Sequence, residues 1–276
     1  MQTISTLSEL CAMRASLTGI AGLVPTMGAL HQGHLSLVSR AKLECCWVGV
    51  SIFVNPTQFG PGEDFQSYPR NLAADLELLA HSGVDAVWTP AAGLMYPSGY
   101  QTWVSVDQVS LPLEGKFRPG HFRGVATVVA KLFNAFRPDK AYFGQKDAQQ
   151  VAVIKRMVLD LNYPIDIVVC PIVREPDGLA MSSRNAYLNA AERKAATVLY
   201  RALGEARRRY DAGERNADQL RASMRSILQE EPLAREEYVS AADPVSLIEL
   251  EKVRECVLLS LAVKIGKTRL IDNIVL

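Results

Sequence analysis

From Ile20 to about Cys170, short apolar runs alternate with helix-length amphipathic segments. The runs are "IAGLVPT", "WVGVSIFV", "VDAVWTP", "KAYFG" and "IDIVVCP", which read as strands. Between them, "HLSLVSRAKLE", "NLAADLELLAHSG", "GVATVVAKLFNAF" and "DAQQVAVIKRMVLDLN" carry apolar residues three or four apart, and most end in Gly, Asn or Pro. Strands separated by crossover helices predict an α/β fold, with a Rossmann-like parallel sheet domain over residues 1–173. The adjacent Cys45 and Cys46 are expected inside its second buried strand.

The pattern changes after Val173. A loop, "REPDGLAMSSRNAYL", leads into a helix that Asn189 caps with Glu192 three residues on, and Leu199, Leu203, Ala206 and Tyr210 mark its apolar face. The basic run Arg207–Arg209 reads as a solvated helix surface, being short and flanked by acids. Three strand patterns follow, around "EEYVSA", "CVLLSLAV" and "TRLIDNIVL". They predict a smaller C-terminal α+β domain over residues 174–276.

Composition narrows the partners. With 276 residues, 49% of them hydrophobic, the chain has enough apolar surface for a large core. Thirty basic and 29 acidic side chains give a net charge of +1, without the excess that a nucleic-acid backbone demands. Small molecules are the expected ligands. The longest apolar run, Cys45–Val54, is too short to span a bilayer, and "MQTISTLSEL" has neither a basic start nor an apolar core. Five cysteines without a CxxC argue against a disulfide framework or zinc cluster. A cytoplasmic protein without nucleic-acid or membrane partners is expected.

The candidate chemistry sits where strands give way to helices, because ligands of open α/β sheets bind beyond the carboxyl ends of the strands. "PTMGALHQGH" occupies the first such turn. Gly28 eases the turn, Gly33 allows close approach, and His31 and His34, three residues apart, share a helix face that meets one phosphate. Two other readings stay open: polar residues at a helix start, or a zinc pair whose third ligand has no obvious spacing. In "SIFVNPTQFG", Asn55 and Gln58 offer amides to a ligand with hydroxyl and carboxylate groups, unless Asn55-Pro56 merely starts a turn. In "YFGQKDAQQ", Gly144 opens a turn, Lys146 supplies a point charge for phosphate, and Asp147 caps the next helix or holds a ribose hydroxyl. Gln150 lies one turn on from Lys146. Ser182, Ser183 and Arg184 are further candidates for phosphate contact.

"HQGH" and, later, "MSSRN" resemble the two nucleotide-binding signatures of the HxGH nucleotidyltransferase superfamily. As a set, "VPTMGALHQGH", "SIFVNPTQF", "RPGHFRGVATVV", "YFGQKDAQQ", "DGLAMSSRN" and "TRLIDN" closely resemble the pantothenate synthetase (pantoate:β-alanine ligase) family over nearly the whole chain. Arg184 stands where the tRNA synthetases of the superfamily carry lysine. The resemblance implies condensation of (R)-pantoate with β-alanine, using ATP and Mg²⁺, through an enzyme-bound pantoyl adenylate. AMP, pyrophosphate and pantothenate are the products, in a step of coenzyme A biosynthesis.

By the same resemblance, Met27, Gly28, His31 and His34 form the first ATP segment, with His34 as proton donor and His31 as phosphate contact. Gly144, Lys146 and Asp147 hold ribose and phosphates, Val173 meets adenine through its backbone, and Met181, Ser182, Ser183 and Arg184 close over the nucleotide. His34, His31, Lys146 and Arg184 are the implied catalytic set. Gln58 and Gln150 bind pantoate with Asn55 nearby, and Pro25, Val129, Leu132 and Phe143 form an apolar wall for its methyl groups. Arg118 and His121, in a loop, border the β-alanine side. Mg²⁺ has no assigned side chain. The family implies a homodimer through the larger domain, and the glycine-containing loop at 173–178 suggests a hinge for lid closure. Thr57, where many members have Met, and "EGKFRPG" depart from the family pattern. The rivals are a nucleotidyltransferase that stops at pyrophosphate release and a non-catalytic ATP-binding regulator, which would have no use for Gln58 and Gln150.

Overall fold

The structure is a computed structural model that describes every residue, Met1–Leu276. The chain forms two compact units, Met1–Gly144 with Val153–Pro171, and Gln145–Ala152 with Ile172–Leu276. Residues 145–152, placed in the first domain on sequence, thus group with the second unit.

The first unit is built on a six-stranded parallel sheet: β1 (Gln2–Ile4), β2 (Ala21–Thr26), β3 (Trp47–Ile52), β4 (Ala86–Trp88), β5 (Lys140–Gly144) and β6 (Asp166–Cys170). Their order is β1-β4-β3-β2-β5-β6, every neighbouring pair parallel. The connecting helices are α1 (Leu7–Ser16), α2 (Gln32–Glu44), α3 (Leu72–His81), single turns α4 (Ala92–Met95) and α5 (Glu114–Phe117), α6 (His121–Phe136) and α7 (Ala148–Asp160). Leu37, Val38 and Ala41 of α2 and Leu79 of α3 pack on Val24, Val48, Val50 and Val87 of the sheet. This is the side-chain content of the apolar periodicity.

Strand order reverses beside β2: the chain runs outward through β3 and β4, then returns to β5 on the other flank. Pairing of β2 with β3 continues to Thr26↔Ile52, but pairing with β5 stops at Leu23↔Ala141. The sheet therefore parts just before Pro25, which brings no N–H to a ladder. A switch point of this kind is where open α/β sheets bind ligands.

The second unit holds α8 (Ala190–Ala195), α9 (Val198–Asp211) and α10 (Ala217–Gln229) with an antiparallel sheet of β7 (Ala234–Ala242), β8 (Leu258–Ile265) and β9 (Thr268–Val275). Leu199, Leu203, Leu220 and Met224 are fully buried against that sheet. Each such side chain stabilises the fold by about 1.5–3 kcal/mol relative to exposure. Asn189 and Glu192 form the expected capping box, yet the helix they start ends at Ala195, and a new one begins at Val198. Arg208 and Arg209 both pair with Glu205 and Arg207 pairs with Asp211 on an exposed face, as the charge pattern indicated.

Four local expectations change. β1 and α1 were not anticipated: β1 has three residues, and α1 buries only Leu10, leaving no apolar stripe to read. Cys45 and Cys46 precede β3, Cys45 closing α2 as a buried cap and Cys46 lying exposed. His121 is no loop residue but the first of α6. Residues 173–178 are a closed hairpin, with Glu175 N donating to Leu179 O (2.8 Å) and Met181 N to Val173 O (3.0 Å), internal to the second unit.

Candidate active site

The loop after β2 owes its shape to a glycine and a buried carboxylate. Gly28 has φ +81°, and a Cβ there would sit 2.9 Å from Asp75 Oδ2. Asp75, on α3, accepts from Ala29 N (2.9 Å) and Leu30 N (2.8 Å) and is 3% exposed. Its role was missed on sequence, although an acid three residues after Leu72 and four before Leu79, on the apolar face of a helix, was the available signal.

The loop delivers the two histidines as a reciprocal cap. His31 is the N-cap of α2, its Nδ1 accepting from Gly33 N (3.1 Å), while His34 Nδ1 accepts from His31 N (3.4 Å). The rings lie 4.1 Å apart between centroids, tilted by 41°. The reading as polar residues at a helix start and the reading as a phosphate pair are therefore compatible. An imidazole nitrogen that accepts a hydrogen bond carries no proton, so each neutral ring keeps its proton on Nε2. Two N–H donors at a helix N-terminus make an anion-binding arrangement.

A second network surrounds Gln58. Its Oε1 accepts from Asn55 Nδ2 (3.1 Å), and its Nε2 donates to Met27 Sδ (3.2 Å). Asn55 is 1% exposed and fully engaged: Nδ2 also donates to Gly124 O, and Oδ1 accepts from Thr57 and from Tyr96 OH (2.9 Å). Asn55 therefore positions Gln58, its amide hydrogen bonds all lying within the protein. The turn at Pro56–Gln58 lies so close to α6 that a Cβ on Gly124 would fall 2.4 Å from Thr57 O.

Arg118 and His121 also serve this turn. Arg118 grips Glu63 through two bonds, Nε to Oε1 (2.8 Å) and Nη2 to Oε2 (2.7 Å). Burial raises the Glu63 carboxyl, but the bonds and charge of Arg118 outweigh it and hold the group below its ordinary value. His121 Nδ1 donates to Gln58 O (2.8 Å) and its Nε2 accepts from Arg118 (3.1 Å). Both imidazole nitrogens are engaged inside the protein, and His121 supports the Gln58 turn. Burial, with Arg118 adding repulsion, pushes His121 down to about 4. It stays neutral at pH 7.

A pH dependence follows. The unfolded chain binds a proton at His121 near 6.5 and the folded chain only near 4, so stability falls as pH drops through that window. The expected loss approaches about 3 kcal/mol by pH 4. His121→Asn, which keeps a donor for Gln58 O without a titrating ring, should flatten the difference between urea unfolding curves at pH 7 and pH 4.5. An equally steep dependence in the variant refutes the assignment.

Of the apolar wall, Val129 and Leu132 are buried on α6 and Phe143 on β5, while Pro25 is half-buried on β2 beside the parting of the sheet. Gly144 ends β5.

The second unit carries the other candidates. Lys146 and Asp147 sit on the short turn Gln145–Asp147, their charged atoms 3.9 Å apart, and Gln150 is half-buried on α7. Ser182 caps the turn Ser183–Tyr187, its Oγ accepting from Arg184 N (3.3 Å), with Met181 just before it. The Val173 carbonyl is already engaged by Met181 N, closing the hairpin that presents Ser182–Arg184. No three His, Cys, Asp or Glu side chains cluster to hold a metal ion. No helix is long and apolar enough to cross a membrane.

Comparison with known proteins concerns the chain as a whole. The sequence profile described as Pantoate-beta-alanine ligase matches residues 1–275. A pantothenate synthetase of Roseiflexus castenholzii is 61% identical over 276 residues, 100% of this chain and 99% of the relative. The crystal structure of pantothenate synthetase from Thermus thermophilus superimposes with a TM-score of 0.95 at 46% identity, covering 99% of both chains. That of the Francisella tularensis pantoate-beta-alanine ligase, described as complexed with β-γ ATP and β-alanine, gives 0.82 at 38% identity, covering 99% of this chain and 97% of that one. A profile spanning the chain, relatives matching it end to end and the same two-part architecture lead to one conclusion: this chain belongs to the pantoate-beta-alanine ligase family.

Proposed function

We propose that the chain condenses pantoate with β-alanine, driven by ATP. A carboxylate is a poor electrophile, so a pantoate oxygen first attacks the α-phosphorus, and the bond from that phosphorus to pyrophosphate breaks. The β-alanine amine then attacks the carbonyl of the pantoyl adenylate, and AMP leaves. Family membership supports this reading, as does the Francisella relative's complex with ATP and β-alanine.

The observation that carries it is the reciprocal histidine cap, which holds two Nε2–H donors at one helix N-terminus before any ligand arrives. Donors fixed in advance favour charge that develops on phosphate oxygen, because little reorganisation is needed as the reaction proceeds. In this reading His34 and His31 donate to the phosphates, Lys146 and Arg184 offset the charge of the leaving pyrophosphate, and Ser182 and Ser183 position it. Gly144 and Asp147 face the ribose. Gln58 and Gln150 orient pantoate, aligning its carboxylate for attack, against a wall of Pro25, Val129, Leu132 and Phe143. Mg²⁺ enters with ATP, bound by phosphate oxygens as is usual for this ion; the donor set offers it no protein cage, and no step is assigned to a protein-held ion. The protein works in the cytoplasm as a homodimer.

Purified protein with Mg-ATP should catalyse pantoate-dependent exchange of label between pyrophosphate and ATP without β-alanine. Adding β-alanine should yield AMP and pantothenate in equal amounts. Pyrophosphate release without AMP, whatever amine is supplied, would instead indicate adenylyl transfer to another acceptor. Binding of ATP without turnover would indicate a regulator.

A further inference from the structure

The "TRLIDN" segment near the C-terminus has no part in the chemistry above, yet its last two residues are among the most buried polar groups of the second unit. Asp272 and Asn273 are each 2% exposed on β9. Asn273 Nδ2 donates to Gln145 O (3.0 Å) and Lys146 O (2.9 Å), and its Oδ1 accepts from Gln145 Nε2 (3.1 Å). One amide thus clamps the two backbone carbonyls that flank the Lys146 α-carbon. Asp272 Oδ1 accepts from Asn273 N (2.8 Å), and its carboxylate receives both terminal nitrogens of Arg174 (2.6 and 2.9 Å). Arg174 also donates to Gly178 O (3.0 Å) in the hairpin that leads into Met181–Arg184. The pair therefore joins the Lys146 turn to the hairpin before the second phosphate segment, all within one compact unit.

Such a joint has a function beyond holding the fold. A three-residue 3₁₀ turn is a weak element on its own, and a lysine is a flexible point charge whose value depends on where its stem begins. We infer that Asn273, braced by Asp272 and Arg174, is a positioning residue that sets the placement of Lys146 relative to the Ser182–Arg184 segment. The inference rests on the proposed reading of Lys146 as a phosphate-binding side chain.

A double-mutant cycle in the full-length enzyme separates the two. Lys146→Ala alone should lower kcat by about 10²- to 10³-fold, as loss of a preorganised electrostatic contact does. Asn273→Ala alone should lower kcat by about 10- to 100-fold while leaving the KM for pantoate unchanged, the signature of a displaced group. In the Lys146→Ala background, Asn273→Ala should cost less than about threefold further. A full repeat of its penalty there overturns the inference, because Asn273 would then act independently of Lys146. An unchanged rate in Lys146→Ala overturns the reading of Lys146 itself, whatever Asn273 does. Gln145→Ala removes one leg of the clamp and leaves Asn273 in place, so it serves if Asn273→Ala does not fold. Its smaller loss should likewise vanish in the Lys146→Ala background, and persistence there overturns the inference.

Discussion

Replacing His34 with alanine should lower the rate of pantoate-dependent pyrophosphate exchange by about 10²- to 10³-fold, the usual cost of deleting one preorganised donor to developing negative charge. The reason is geometric. His34 Nδ1 is fixed by the His31 amide, so the ring is oriented and its proton kept on Nε2 by the same bond that caps the helix. Alanine removes both the donor and half of the cap. His34→Gln, whose amide nitrogen lies near the position of Nε2, should recover part of the loss. A thermal unfolding midpoint within a few degrees of the parent's would place the defect in catalysis and not in folding, since losing a cap costs only about 1 kcal/mol. Exchange within tenfold of the parent in His34→Ala would refute the phosphate role of the pair.

Arg174→Met should destabilise the protein by about 3–5 kcal/mol, the range for removing one partner from a buried ion pair. The Asp272 side chain is 1% exposed and Arg174 16% exposed, with the guanidinium also 4.4 Å from the centroid of the Tyr200 ring. Burial pushes the Asp272 carboxyl up from its ordinary value, and Arg174 opposes that rise. Without the arginine, the carboxyl rises further in the folded state than in the unfolded one. Its folded form then binds the proton more tightly, so the variant's deficit should shrink as pH falls through that raised value and be greatest near neutrality. Urea unfolding at pH 7 and pH 5 measures both effects. A loss below 1 kcal/mol, or a deficit that grows on acidification, would show that the pair contributes little.

These two sites show unequal legibility. Five strands of the parallel sheet, β2 to β6, and the four helices between them were readable because each side of an open α/β sheet imposes its own periodicity on the chain. The histidines, Gln58, Lys146 and the Ser182–Arg184 segment stood out as polar residues at abrupt ends of apolar runs. Element boundaries depended on weaker signals: the break between α8 and α9 interrupts an apolar face that continues in sequence. α10 was not anticipated, although Leu220, Met224, Ile227 and Leu228 give it an apolar stripe behind the cap of Asn216.

The sequence by itself determined the alternation of strands and helices, the positions of the turns between them and the residue types offered there, since all three follow from local periodicity and turn chemistry. Only the tertiary structure decided which polar residues face one another. Asn55 and His121, read on sequence as ligand candidates, also support the Gln58 turn, because Tyr96, Gly124 and Arg118, distant in sequence from that turn, hydrogen-bond to them. Asp75 and Asn273 looked like ordinary helix and strand residues, yet they hold the backbone beside His31 and Lys146. A hydrogen bond between segments leaves no period in either, so its effect on the site appears only when the chain has folded.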